Sequence, residues 1–346
     1  MIIVGDGYST HFLGCGMKFG LSSFAKYTWG VLLYILLVVL FGAFVRSTGS
    51  GAGCGAHWPL CNGELIHRPQ QIETVIELTH RVTSGFTIPL IIGLLVWAWR
   101  KFPAGSPIRL TSALTMFFII TESLVGAGLV LFELVADNDS IARAFWMMAH
   151  LINTFLLVAC LTLTAWWTSS GMPRPTGAGG ITRGLLIAGG AAILLLGMSG
   201  AVTALGDTLY PSTSLAEGIR EDFSPTAHWL IQLRILHPGI AAVVGGFLFL
   251  VTAWVRRKFT HAEVTFFTNL LFGLYALQMV LGIINVALLA PVWMQIVHLL
   301  AANLVWITFI LLSAVVLGSA VLAADSAASR GDHNVHNRVH QAEEIG

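Results

Sequence analysis

The chain has 346 residues, of which 56% are hydrophobic and 10% charged, with a formal net charge of +1. Soluble domains carry about 25% charged residues, so the composition excludes a soluble globular protein and indicates a polytopic membrane protein. Near-neutral charge argues against a nucleic-acid partner, and the 4 cysteines are too few for a disulfide scaffold.

Residues 1–16 include Asp6, His11 and Cys15, carry no Lys or Arg, and do not resemble a secretory signal. They read as an extension, with Met17-Lys18-Phe19-Gly20 as the natural start; residues 1–25 together precede the first span. Eight mostly apolar stretches follow, at 26–46, 76–99, 109–133, 144–168, 183–205, 234–256, 265–289 and 293–322. Each has about 20 residues or more, the length a bilayer needs. Proline, glycine and charge punctuate the links, as in Phe102-Pro103-Ala104-Gly105 and Arg256-Arg257-Lys258. With a cytoplasmic N-terminus, ten basic residues fall inside: Lys18, Lys26, Arg100, Lys101, Arg109, Arg174, Arg183, Arg256, Arg257 and Lys258. Six fall outside: Arg46, Arg68, Arg81, Arg143, Arg220 and Arg234. That bias places both termini in the cytoplasm.

The loop 47–75 then faces outward and carries Cys54 and Cys61. On an oxidising face this pair can hold a disulfide, static or cycling; Cys15 and Cys160 have no evident partner. Helix 2 opens with Glu77 and His80, which share a helix face about one turn apart. Glu122 lies inside helix 3, and a carboxyl group in that setting is a functional candidate. His57, His67 and His228 fall in outer loops and His261 in an inner one, with His228 close to the start of helix 6. The polar stretch 324–346, with His333, His336 and His340, reads as a disordered tail.

The two halves match each other. Gly42-Ala43-Phe44-Val45 recurs as Gly200-Ala201-Val202-Thr203, and His80 as His237. Glu122-Ser123-Leu124-Val125-Gly126 recurs as Gln278-Met279-Val280-Leu281-Gly282, and His150-Leu151-Ile152-Asn153 as His298-Leu299-Leu300-Ala301. The fold class expected is therefore all-α: eight transmembrane helices in two tandem four-helix bundles, 26–170 and 183–323, related by a pseudo-twofold axis along the membrane normal.

Helices 2, 4, 6 and 8 each begin on the outer side with a histidine near the start: His80, His150, His237 and His298. Two imidazoles per bundle at one depth, with no thiolate in register, suit trans-axial iron in a haem better than a tetrahedral metal site. Gly85, Gly126, Gly239, Gly245, Gly246 and Gly282 would let helices part around a flat macrocycle, or simply pack closely.

Three stretches then resemble the haem A synthase family: Gly42 through Gly51, the run Cys54 to Cys61 followed by Asn62-Gly63, and Glu77-Leu78-Thr79-His80-Arg81. With the four helix-borne histidines, the likeness covers about Gly42 to Val321. The resemblance implies a multi-pass cell-membrane enzyme that oxidises the methyl group of haem O to the formyl group of haem A. It implies a substrate haem at His80 and His150, with Glu77 as an essential acid, a haem b between His237 and His298, and a Cys54–Cys61 disulfide. Loop 206–233 lacks the cysteine pair that some members carry there. The implied partners are haem O, a haem O synthase supplying it, and a quinone or other electron acceptor. The alternative reading of the paired histidines is a dihaem membrane electron carrier, quinone-linked, that does no chemistry on haem.

Overall fold

The computed structural model describes residues 21–64, 71–171 and 178–343, with side chains as far as residue 318. The readings of residues 1–16, His67, Arg68, Arg174 and the tail histidines fall outside those residues or side chains.

Among the described residues the elements are helices, and eight helical stretches are long and apolar enough to cross a membrane. In chain order they are α1 (Ser23–Ser47), α2 (Ile72–Gly85), α3 (Thr87–Lys101), α4 (Pro107–Leu131), α5 (Ile141–Ser170), α6 (Gly180–Leu209), α7 (Leu215–Asp222), α8 (Trp229–Arg234), α9 (Leu236–Lys258), α10 (Ala262–Ala287) and α11 (Val292–Glu343). The backbone of α11 continues through the polar stretch expected to be a disordered tail.

Local chemistry sets the helix ends. The Ser22 and Ser140 hydroxyls accept from the amides of Ala25 and Arg143, each at 3.2 Å, so both serve as N-caps. Ser106 caps α4, with Pro107 in the first turn where its missing N–H is not needed.

The second span, expected as one helix over 76–99, is broken in two, and the sixth, expected over 234–256, is preceded by the short helix α8; proline accounts for both breaks. Pro89 cannot donate to the carbonyl of Gly85, where α2 stops; Pro238 cannot donate to that of Arg234, where α8 stops. The connection after α6, expected as a loop over 206–233, also holds the short helix α7.

Helices α1, α5, α6 and α11 pack on one another at the centre. Helices α2, α3 and α4 flank α1 and α5, α8 and α9 flank α6, and α10 lies against α9 and α11. One apolar core therefore runs through both halves, from Phe24 and Leu32 through Phe155 and Leu161 to Leu248 and Leu312. Hydrocarbon offers no hydrophobic drive for helix association, so close van der Waals contact has to supply it. Small residues allow that contact: a Cβ on Gly189 would stand 2.9 Å from the Phe309 ring, and one on Gly128 would overlap the Trp146 ring. Large apolar side chains such as Leu33, Ile187 and Val243 point outward, as a lipid-facing surface requires.

Polar contacts tie the halves together within the spans and at their ends. The Trp306 indole N–H donates to the Phe155 carbonyl at 2.7 Å. Arg46, at the outer end of α1, donates to the Ala204 carbonyl and Thr208 Oγ1, both at 2.6 Å, and to Gln295 Oε1 at 2.7 Å. Replacing Arg46 by Met would strand these acceptors, at a cost of about 2–3 kcal/mol. Thermal unfolding in detergent, followed by circular dichroism, should show a lowered midpoint for Arg46→Met; an unchanged midpoint would remove Arg46 as an inter-half tie.

Candidate functional site

A cavity of about 1110 Å³ lies within the helices, lined by residues of both halves. It exceeds the roughly 300–1,000 Å³ of common small-molecule pockets. All four histidines singled out by the sequence, His80, His150, His237 and His298, line it.

In the second half, the ring centres of His237 and His298 are 6.5 Å apart and their planes are inclined at 80°. Two imidazoles on opposite sides of one metal, each bonded at about 2 Å with about 1 Å more to the ring centre, would stand about 6–6.5 Å apart. His237 Nδ1 shares a hydrogen bond of 2.8 Å with Ser199 Oγ, which leaves its Nε2 for a ligand. His298 Nε2 lies 3.0 Å from the Gln278 side-chain amide, and its buried Nδ1 has no partner.

In the first half, His80 on α2 stands edge-on to Phe41, with ring centres 5.6 Å apart. His150 on α5 has Nε2 3.5 Å from Glu122 Oε1. The Nδ1 atoms of both rings are buried and unpartnered. Buried nitrogens without hydrogen bonds are costly in protein alone, and they are what a metal-bonded group would satisfy. The donor set therefore fits iron macrocycles held by imidazole, with His80 and His150 facing one and His237 and His298 the other.

Glycines prepare the space around these rings. A Cβ at Gly42 would come within 3.1 Å of His80 Cε1, one at Gly200 within 3.1 Å of His237 Cε1, and one at Gly282 within 3.2 Å of His298 Cε1. Gly126 stands opposite His150 at 3.8 Å. Of the other glycines proposed to ease a macrocycle in, Gly245 makes room for Tyr275 instead, and Gly85, Gly239 and Gly246 face open space.

Glu77 lines the cavity, but both of its oxygens are occupied. Oε2 accepts from the Cys54 amide at 2.7 Å, and Oε1 accepts from Arg81 Nε at 3.1 Å and Nη2 at 2.5 Å. Arg81 Nη1 in turn donates to the carbonyls of His57 and Leu60, each at 2.5 Å. The Glu77–Arg81 pair thus clasps the loop closed by the Cys54–Cys61 disulfide. Trp58 and Pro59 of that loop form part of the cavity wall. Gly53 permits the clasp, because a Cβ there would sit 2.5 Å from the backbone of Glu73. The sequence reading missed Arg81 as a site residue, although its i,i+4 spacing from Glu77 was the available signal.

His228, expected close to the start of the sixth span, stacks on Tyr210 at 4.8 Å and lies 3.4 Å from Asp139, away from the cavity wall. The Tyr210 hydroxyl donates to Asp139 Oδ2 at 2.7 Å. That bond holds the Asp139 carboxyl below its ordinary range. His57 lies exposed on the clasped loop, and His261 precedes α10 on the other side.

A family model described as cytochrome oxidase assembly protein (COX15-CtaA) matches residues 25–310. A Thermus thermophilus protein named protoheme IX farnesyltransferase is 52% identical over 293 residues, which is 84% of this chain and 48% of that protein. Proteins named heme A synthase match shorter stretches. That of Halalkalibacterium halodurans is 38% identical over 141 residues, 41% of this chain and 45% of its own. That of Alkalihalophilus pseudofirmus is 46% identical over 98 residues, 28% of this chain and 33% of its own. The chain thus spans about half the length of the longest-matching curated relatives.

The clasp has a measurable consequence. Arg81→Gln removes two donors to the loop and half of the ion pair, so the Cys54–Cys61 bond should be reduced by dithiothreitol roughly tenfold faster, about 1.4 kcal/mol less protected. Mass-tagging of released thiols measures the rate; equal rates in both proteins would show that the clasp does not hold the loop down.

Proposed function

The chain belongs to the cytochrome oxidase assembly protein family, and on that premise we propose that it is a haem A synthase, oxidising the methyl group of haem O to the formyl group of haem A. The observation that carries this is the single cavity walled by four helix-borne histidines, with the His237 and His298 rings at a spacing suited to one iron between them. The relatives named heme A synthase support the same reading. The name of the Thermus thermophilus protein belongs to a chain about twice the matched length. Paired imidazoles serve the removal of electrons from a macrocycle, which the transfer of a prenyl group does not call for.

In this reading the first unit, 26–170, takes the substrate haem at His80 and His150, and the second, 183–323, holds a haem b at His237 and His298. When bound, haem b would supply one-electron transfer. The chain's own residues do the rest. The glycine-backed rings would hold the macrocycle, and the mostly apolar walls would limit water around it. Trp58 and Pro59 close the outer end under the Glu77–Arg81 clasp. Glu77 is the acid of the first site, its carboxyl held at the wall by Cys54 N–H and Arg81. It can take a proton from an attacking water or oppose positive charge developing on the oxidised carbon. Both termini face the cytoplasm, which sets the cavity beneath the outer face, and a quinone-class acceptor would collect the electrons.

Expression with a source of haem O, followed by pigment extraction and mass analysis, tests the proposal. Haem A is the expected product. Haem b alone, with haem O untouched, would overturn it in favour of an electron carrier. Glu77→Ala is expected to retain haem O and leave it unconverted, with at least a tenfold loss of haem A; near-normal output from that variant would remove Glu77 from the chemistry.

A further inference from the structure

The two histidine pairs sit in matched positions of an internal repeat, yet their surroundings differ, most directly beside His150 and His298. On α4, Glu122 turns towards α5 and accepts from Asn153 Nδ2 through Oε2 and from Thr154 Oγ1 through Oε1, each at 2.5 Å. The same Oε1 lies 3.5 Å from His150 Nε2. Asn153 is itself anchored, since its Nδ2 also donates to the Phe118 carbonyl at 2.8 Å and its Oδ1 accepts from Thr121 at 2.6 Å. Asn153 and Thr154 lie one turn beyond His150 on the same helix, so α5 carries both the imidazole and the two groups that aim the carboxylate at it.

The repeat places Gln278 where Glu122 stands, and Ala301 and Ala302 where Asn153 and Thr154 stand. The second half thus has an amide 3.0 Å from His298 Nε2 and neither of the side-chain donors that would aim a carboxylate there. An acid inside a membrane helix is expensive, and this one is present in one half and replaced by its neutral isostere in the other.

The geometry points to Glu122 as a positioning residue that makes the two sites electronically unequal. This rests on the haem reading proposed above. A carboxylate held this close to a ligating histidine restricts the ring orientation and makes the imidazole a stronger donor, which stabilises the more oxidised iron. An amide at the same place does so less. The first site then has the lower midpoint potential. With haem in both halves, an electron leaving the first site would pass to the second, and a quinone-class acceptor would take it from there. The difference between Glu122 and Gln278 gives electron flow its direction, out of the substrate half.

The test uses the full-length protein loaded with haem in both halves and a redox titration followed by absorbance. Glu122→Gln should raise the first-half midpoint towards that of the second half, with the second-half wave unmoved and the haem content retained. Gln278→Glu should lower the second-half midpoint and leave the first unmoved. Thr154→Ala, which loosens the carboxylate without removing it, should move the first wave in the direction of Glu122→Gln by a smaller amount. Unmoved midpoints in haem-loaded Glu122→Gln and Gln278→Glu would overturn the inference. If Glu122→Gln fails to assemble, the Gln278→Glu shift decides. The outcome is separable from that of the proposed reaction: absence of haem A from the wild-type protein counts against the reaction, whereas the midpoint shifts are read in the same protein without turnover.

Discussion

Hydrocarbon cannot hydrogen-bond, and that constraint organises this structure. Every polar side chain carried into a span must find a partner inside the protein or turn to an internal cavity. Arg46 does so across the seam between the halves, Glu77 with Arg81 beneath the outer loop, and Glu122 between Asn153 and Thr154. The buried Nδ1 atoms of His80, His150 and His298 find no such partner, and the three residues stand in the cavity wall. The same rule that drives Leu33 and Val243 outward leaves these imidazoles among the unsatisfied groups of the interior.

The architecture follows from how that interior is walled. A central group of α1, α5, α6 and α11 supplies rigid, closely packed backbone, with glycine at the tightest approaches. Each histidine pair takes one ring from this centre, His150 on α5 or His298 on α11, and one from a flanking helix, His80 on α2 or His237 on α9. The flanking helices are the two interrupted by proline, at Gly85 and at Arg234. Breaks so close to the histidines let the ring-bearing segment take a direction of its own, independent of the rest of the span. Above them the outer loops form a polar rim, with the clasped Cys54–Cys61 loop over one half and the Tyr210–Asp139 bond joining the loop before α5 to the end of α6.

Duplication gives two sites from one plan, and substitution within the plan lets them diverge. Gly42 backs His80 as Gly200 backs His237, at the same 3.1 Å. Such backing is steric and serves any flat ligand. The departures are chemical: the disulfide loop and the acids Glu77 and Glu122 stand in the first half, while Ser199 and Gln278 attend the rings of the second. In the proposed reading, the half that changes its macrocycle is the half that sets Glu77 and Glu122 near its histidines.

Much of this was legible in the sequence. The eight spans are read from apolar length alone, because a bilayer core imposes a fixed minimum on any helix that crosses it. The four histidines stand out because an apolar helix has so few polar positions, and the repeat reveals which of them correspond. Cys54 and Cys61 are close enough in sequence to suggest a pairing. Tertiary structure decided what lies between elements distant in the chain. It set the one cavity shared by both halves, the 6.5 Å between His237 and His298, and the grip of Asn153 and Thr154 on Glu122. It also showed Glu77 engaged by the backbone of Cys54, a partner 23 residues earlier that no periodicity could nominate. Sequence records which side chains cannot face lipid; only the packed helices determine which of them meet, because meeting depends on the rotation and tilt of each helix against its neighbours.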